Sequence, residues 1–176
     1  MDKNGFTIIE LIVVIVLLSV LAAFALPRFA DLSGRAQISV VQQMEASLTT
    51  AVHIAVMKYK VEGGAGSTLN FNGNNINFIA GLPQPDASQL RFLLDSNFPS
   101  TIFTNNWSTV PCSGSDFCVV GNLAFNEPTL PVIPDFISGS GIFIWPEGYV
   151  LSDCVAYYLN LRNGSGPVTG SILSGC

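Results

Sequence analysis

The sequence predicts an α+β fold, in which one long N-terminal helix is followed by a small, mostly antiparallel β domain. Residues 6–26 form a nearly unbroken apolar run, and the apolar residues that follow keep a helical spacing. Beyond residue 67, short alternating apolar and polar stretches are separated by Gly, Asn and Pro. Because one long helix precedes most of the strands, an alternating α/β chain with a parallel sheet is not expected.

The first part of the predicted helix is long enough to cross a membrane. Residues 6–26 would span about 30 Å as a helix, which matches a bilayer core. A secretory signal peptide is the alternative, since Ala23-Phe24-Ala25 resembles its cleavage site. The leader MDKNG argues against it, because Lys3 is offset by Asp2 and a signal peptide has a positive excess.

The same helix is predicted to continue beyond Pro27. Apolar residues recur at positions 29, 32, 36, 40 or 41, 44, 48, 51 or 52, 55 and 59, the spacing of one helical stripe. The helix should therefore run from residue 6 to about 61 and stop at Gly63-Gly64. Pro27 lies where the fully apolar half meets the amphipathic half, and its missing N–H predicts a kink there.

Glu10 is a carboxylate inside the apolar run. An ionised carboxylate in hydrocarbon costs several kcal/mol unless a partner compensates it. If the chain is cut between Gly5 and Phe6, a free ammonium appears about one helical turn before Glu10. The two charges could then pair within one chain or between neighbouring copies. The alternative is that Glu10 merely extends toward the lipid headgroups.

A hairpin and a short helix are predicted after the long helix. The stretch TLNFNGNNINF, residues 68–78, alternates apolar and polar residues on both sides of a turn at 72–75. The stretch DASQLRFLLDSN follows it and should form a short helix. Its first residue Asp86 and its fourth residue Gln89 have the spacing of a capping box.

The C-terminal half supplies the remaining strands. They are predicted in FCVVGN, in GIFIWPEG and in VAYYLNLRNGSGPVTGSIL, whose two strands are joined by NGSGP. Four residues of the strand that starts at 155 should share one face of the sheet, namely Val155, Tyr157, Leu159 and Leu161.

Composition argues against several classes of function. The chain has 176 residues, with 7 Lys and Arg against 12 Asp and Glu. It has no basic cluster, so nucleic-acid binding is not indicated. His53 is the single histidine and is expected on the helix surface, so we predict no catalytic residues, no metal site and no cofactor.

All four cysteines lie beyond residue 111, in the polar half of the chain. An even number in this setting indicates disulfides formed in an oxidising compartment. Four buried free thiols in a cytosolic domain are the alternative.

Residues 5–11, GFTIIEL, followed by an apolar run and Pro27, resemble the N-terminal signature of type IV prepilins and the related pseudopilins. The resemblance implies that residues 1–5 are a leader removed after Gly5 by a prepilin peptidase, which also methylates the new N-terminus of Phe6. It further implies that Glu10 pairs with the N-terminus of a neighbour. Residues 6–29 would form the membrane and fibre-core helix, and residues 30–176 the pilin-like head.

Four cysteines allow three connectivities. We favour Cys112 with Cys118, which enclose only SGSDF, and Cys154 with Cys176. The second pair resembles the C-terminal disulfide loop of many pilins. The region GYVLSDCVAYYLN and the terminal Gly-Cys are also similar to pilins of the mannose-sensitive haemagglutinin group.

The resemblance implies a structural subunit of a type IV pilus-like fibre for attachment or motility, not an enzyme. The implied partners are further copies of the chain, other pilins, the prepilin peptidase/N-methyltransferase and the pilus assembly machinery of the bacterial inner membrane. The precursor would cross that membrane once before it enters an extracellular fibre. The alternatives are a minor pilin, a type II secretion pseudopilin, or a secreted carbohydrate-binding domain released by signal peptidase.

Overall fold

The computed structural model describes residues 7–94, 100–102 and 106–176. The chain divides into two compact units, one ending at Ala36 and the other comprising Gln37–Cys176. Helix α1, Ile8–Val61, runs through both units. The long predicted helix is thus confirmed over the described residues.

Helix α1 has defined caps at both ends. At its start, the Thr7 hydroxyl accepts a hydrogen bond from the Glu10 backbone N–H at 3.3 Å. At its end, Gly64 N–H donates to Tyr59 C=O at 2.9 Å and Gly63 N–H to Lys60 C=O at 3.1 Å. This pair of bonds forms a Schellman motif, which the positive φ of Gly63 permits. The two glycines therefore end the helix where the sequence predicted.

A three-stranded antiparallel sheet follows α1. Its strands are β1 Thr68–Phe71, β2 Asn74–Ile79 and β3 Leu82–Pro83. Asn72 and Gly73 join β1 to β2 and both have positive φ, as a two-residue hairpin turn requires. The predicted hairpin is confirmed.

Helix α2, Ala87–Leu94, confirms the predicted short helix, but its cap differs from the prediction. Asp86 Oδ1 accepts from the Ser88 backbone N–H at 2.8 Å, so Asp86 caps the helix. The Gln89 side chain does not complete a capping box. Its Oε1 accepts from Asn77 N–H of β2 at 2.8 Å. The Gln89 side chain thus bonds to the hairpin and not to the backbone N–H of Asp86, as a capping box would require.

The second sheet has five strands in sequence order. They are β4 Ser100–Ile102, β5 Phe117–Ala124, β6 Ser140–Pro146, β7 Val155–Asn160 and β8 Val168–Ile172. Strand β4 pairs parallel to β5, and the other neighbours are antiparallel. The predicted α+β fold is confirmed, with this one parallel pair added.

Strands β5, β6 and β7 of the second sheet have buried residues on both faces. Val155 and Leu159 belong to one hydrophobic cluster, whereas Ala156 and Tyr158 belong to a second cluster that includes Leu48 of α1. The predicted face of β7, which includes Val155 and Leu159, is confirmed. The prediction did not include the opposite face, where Ala156 and Tyr158 are also buried. A strand covered on both sides does not show a clean alternation of apolar and polar residues, which is why the second face was missed.

Candidate assembly segment and disulfide-bonded head

The N-terminal unit presents an apolar helical surface. The segment Ile8–Arg28 has a mean hydropathy of 3.0 and is long enough to cross a membrane, and its most apolar stretch is not buried. Ile8 is 79% exposed and Phe24 is 75% exposed. An exposed apolar surface of this length is unfavourable in water, and its length and composition fit a membrane-spanning helix.

Glu10 lies in the first turn of this segment with its side chain exposed. It makes no ion pair with any residue that the structure describes. The proposed partner is the ammonium of Phe6, and both Gly5 and Phe6 lie outside the described residues. The cleavage site, the methylation site and the charge pair therefore stay predictions.

Pro27 and Ser19 have different effects on the backbone of the segment. Helix α1 continues through Pro27, which cannot donate to the carbonyl one turn earlier. The Ser19 hydroxyl donates to the Val16 carbonyl at 2.7 Å and therefore stays within the helix surface. The kink at Pro27 stays a prediction.

The head is closed by two disulfides. Cys112 is bonded to Cys118 with a Cα–Cα distance of 5.6 Å, and Cys154 to Cys176 with 5.0 Å. The favoured connectivity is thus present, and all four cysteines of the sequence are paired. The second bond ties the C-terminal residue to the start of β7, where Gly175 N–H also donates to Asp153 C=O at 2.9 Å.

Two polar side chains that sequence reasoning missed join the two sheets. The Tyr158 hydroxyl donates to Pro83 C=O at 2.7 Å, and Asn160 Nδ2 donates to Ile79 C=O at 3.0 Å. Both side chains are buried, and burial raises the pKa of Tyr158 well above its usual range. The signal in the sequence was the presence of polar atoms in an otherwise apolar strand.

A tight backbone contact seats helix α2 on β5. A Cβ on Gly121 would lie 2.4 Å from the Ala87 backbone nitrogen, so only glycine fits. The next residue, Asn122, donates from Nδ2 to Asp86 Oδ2 at 2.9 Å. Burial raises the pKa of the Asp86 carboxyl, but hydrogen bonds from Ser88, Asn122 and Gln89 outweigh it and lower the pKa below its usual value.

The single histidine and the acidic residues were the candidates for a metal site. His53 is exposed on α1, as predicted. Within residues 7–94, 100–102 and 106–176, no three His, Cys, Asp or Glu residues are grouped as metal ligands.

Residues 1–26 match the family described as the prokaryotic N-terminal methylation motif. Over 60 residues the chain is 42% identical to the type IV narrow pilus major component PilA5 of Thermus thermophilus, covering 34% of this chain and 52% of that protein. It is 32% identical over 82 residues to the type IV major fimbrial protein FimA of Dichelobacter nodosus, covering 45% and 51% of the two chains. A fimbrial protein of Pseudomonas aeruginosa is 34% identical over 58 residues, which cover 33% of this chain and 38% of that protein.

No solved structure matches the chain. The chain spans about half the length of the first two curated relatives that it matches, as their coverage of 52% and 51% shows. Similarity to the mannose-sensitive haemagglutinin group stays a prediction. The N-terminal part of this chain thus carries the prokaryotic N-terminal methylation motif and is similar to the N-terminal part of type IV pilins.

Proposed function

We propose that this chain is a structural subunit of a type IV pilus-like fibre that polymerises through its N-terminal helix. The observation that carries the proposal is the segment Ile8–Arg28, which is apolar on all sides, uncovered, and continuous with a helix that enters a disulfide-bonded head. A helix that is apolar on all sides is stable only when it is buried, and a fibre core made of like helices would bury this one.

Processing would create the assembly-competent subunit. A prepilin peptidase removes residues 1–5 after Gly5 and methylates Phe6, which leaves residues 6–29 as the core helix and 30–176 as the head. The new ammonium lies about one turn before Glu10. The precursor is held in the inner membrane by this helix, and the head folds outside the cytosol, where its disulfides can form.

Charge pairing supplies the specificity of polymerisation. Lipid tails and neighbouring apolar helices solvate the segment about equally well, so burial alone gives little reason to leave the membrane. A Glu10 carboxylate that meets the Phe6 ammonium of an adjacent copy adds an attraction that is present at one axial register. A copy at any other register leaves both charges unpaired.

The proposal is tested by shearing fibres from cells that express the chain and by analysing them by mass spectrometry. We expect this chain as a main component, beginning at N-methylated Phe6. A mature chain that begins at Leu26 and is absent from fibres would contradict the proposal and indicate a signal-peptide product. Presence at trace levels would indicate a minor pilin, and absence from surface fibres with processing at Phe6 would favour a pseudopilin.

A further inference from the structure

The head carries an open groove at the end of the five-stranded sheet, beside the start of the α1 residues that belong to the head. Its volume is about 380 Å³ and its apolar lining includes Val40, Phe117 and Pro146. Asp116 and Glu147 lie on its rim and are exposed. They are neighbours because Glu147 N–H donates to Asp116 C=O at 3.0 Å. We call this feature the acidic groove.

A surface of complementary chemistry lies on the last turn of α1. Met57 is 63% exposed and Val61 is 86% exposed. The exposed Lys60 and Val61 lie three and four residues after Met57, so both are neighbours of Met57 on the helix surface. Lys60 has no partner among the described residues, whereas Lys58 already contacts Glu62 at 3.7 Å. We call Met57, Lys60 and Val61 the cationic tip.

The two features lie at opposite ends of the same helical stretch. Val40 and Lys60 are about 30 Å apart along α1, at about 1.5 Å per residue. One head therefore cannot bring its own cationic tip to its own acidic groove. Two different complementary surfaces at opposite ends of a subunit are what a heterologous, open-ended interface requires.

The charge balance of the head favours this pairing. Residues 37–176 contain more acidic than basic residues, so identical heads repel one another unless an exposed cation meets a carboxylate. The groove offers two carboxylates to an ammonium and an apolar lining to Met57 and Val61. A second copy of this chain thus satisfies both the charge and the apolar surface.

We propose that the cationic tip of one head docks in the acidic groove of the next copy along the fibre. The inference rests on the proposed function, because it requires polymerisation of this chain. It adds an interface between heads to the one between the apolar helices. Lys60 contacts Glu147, Asp116 or both across this interface, and Met57 and Val61 cover the lining of the groove.

The contact can be captured in isolated fibres with a carbodiimide, which joins an amine to a carboxylate without a spacer. We expect a ladder of linked subunits and a peptide pair that joins Lys60 to Glu147 or Asp116. The Lys58–Glu62 pair within each chain serves as the internal positive control. In Lys60→Arg fibres the charge is kept but the reactive amine is lost, so the peptide pair that contains residue 60 should disappear while fibre yield is maintained.

Charge reversal tests whether the contact matters for assembly. Lys60→Glu and Glu147→Lys alone should each lower the yield of sheared fibre at least about fivefold, because like charges then face each other. The double variant should restore the yield to within about twofold of wild type, since attraction returns with reversed sign. Asp135→Lys is the control for Glu147→Lys, because it also replaces a carboxylate by an ammonium but at an exposed position outside the groove. It should leave the yield unchanged.

Each outcome decides the inference. Wild-type fibres without a Lys60 cross-link, or single reversals with normal yield, would overturn the contact between heads while leaving the proposed function intact. A groove carboxylate linked to a different protein would overturn the assignment of a second copy as the occupant. Failure of the wild-type chain to enter any fibre would overturn the proposed function itself.

Discussion

The apolar segment Ile8–Arg28 and the head, residues Gln37–Cys176, differ in how far their apolar side chains are buried within the chain. In the segment, Leu17 is 59% exposed, whereas in the head Leu48 is fully buried. The head buries residues on both faces of β5, β6 and β7 and contains two disulfides, so we expect it to fold without a partner. The difference teaches that burial within the chain accounts for the apolar residues of the head but not for those of the segment.

The largest expected difference between the segment and the head is at Glu10, where a substitution should affect fibre assembly. Replacing Glu10 with Leu removes the charge from the apolar run, so membrane insertion should improve by about 2 to 3 kcal/mol. Fibre assembly should nevertheless fail, because each Phe6 ammonium would then be buried unpaired at a cost of about 3 to 5 kcal/mol. Sheared-fibre yield measures assembly, and immunoblots measure cleavage and expression.

Glu10→Gln is the matched variant, since it keeps the shape and removes the charge. Cleavage after Gly5 should persist in both variants, and co-expression with wild type should reduce fibre yield as mutant dose rises. Normal yields of fibre containing a correctly processed Leu variant would show that Glu10 has no role in assembly and lies only at the lipid interface.

The same truncation in the two regions should have different effects on folding. Leu48→Ala removes a fully buried side chain from the cluster between α1 and the sheet, so the free energy of unfolding should fall by about 2 to 5 kcal/mol. Leu17→Ala should leave head unfolding unchanged. Both are measured by denaturant unfolding of the full chain in detergent, followed by tryptophan fluorescence.

An equal loss in both variants would mean that the head depends on the apolar segment for its stability. The Leu17 variant would then also cease to be a control, and the contrast between a self-sufficient head and an incomplete segment would be wrong.

The two disulfides should differ in their contribution to the head. The Cys154–Cys176 bond closes a sequence separation of 22 residues and Cys112–Cys118 one of 6. In the chain-entropy account, paired Cys→Ser changes should cost about 3 kcal/mol for the longer loop and about 2 kcal/mol for the shorter. Thermal unfolding of each double variant, with and without reductant, measures the difference, and equal costs would indicate that local packing dominates.

Much of the fold could be predicted from the sequence because its signals are local. The stripe on α1, the Asn72-Gly73 turn and the spacing of Cys112 from Cys118 each lie within a few residues of one another. The second buried face of β7 and the parallel pairing of β4 depend on residues distant in sequence. The same is true of Gln89, whose side chain contacts Asn77 instead of completing a cap.

The candidate assembly segment could be predicted by its apolar length and by Glu10, since a charge in an apolar run is visible without a structure. The acidic groove could not be predicted. Asp116 and Glu147 are neighbours only because β5 and β6 pair at Phe117 and Pro146. Likewise, the bonds of Tyr158 and Asn160 to Pro83 and Ile79 require the hairpin to lie against β7.

The smallest expected effect concerns Asp86, which caps α2 within the head. Its pKa is lowered in the folded state, so its contribution to stability is complete above the unfolded value of about 4 and is lost as pH falls through the folded value. Asp86→Ala should lower stability by about 1 kcal/mol at neutral pH, because α2 loses its cap.

Asp86→Asn keeps a capping oxygen without a titrating group, so its stability relative to wild type should rise as pH falls below about 4. Urea unfolding of wild type and the Asn variant between neutral and acidic pH measures this difference. A difference that is constant with pH would show that the hydrogen bonds from Ser88 and Asn122 do not favour the ionised carboxylate.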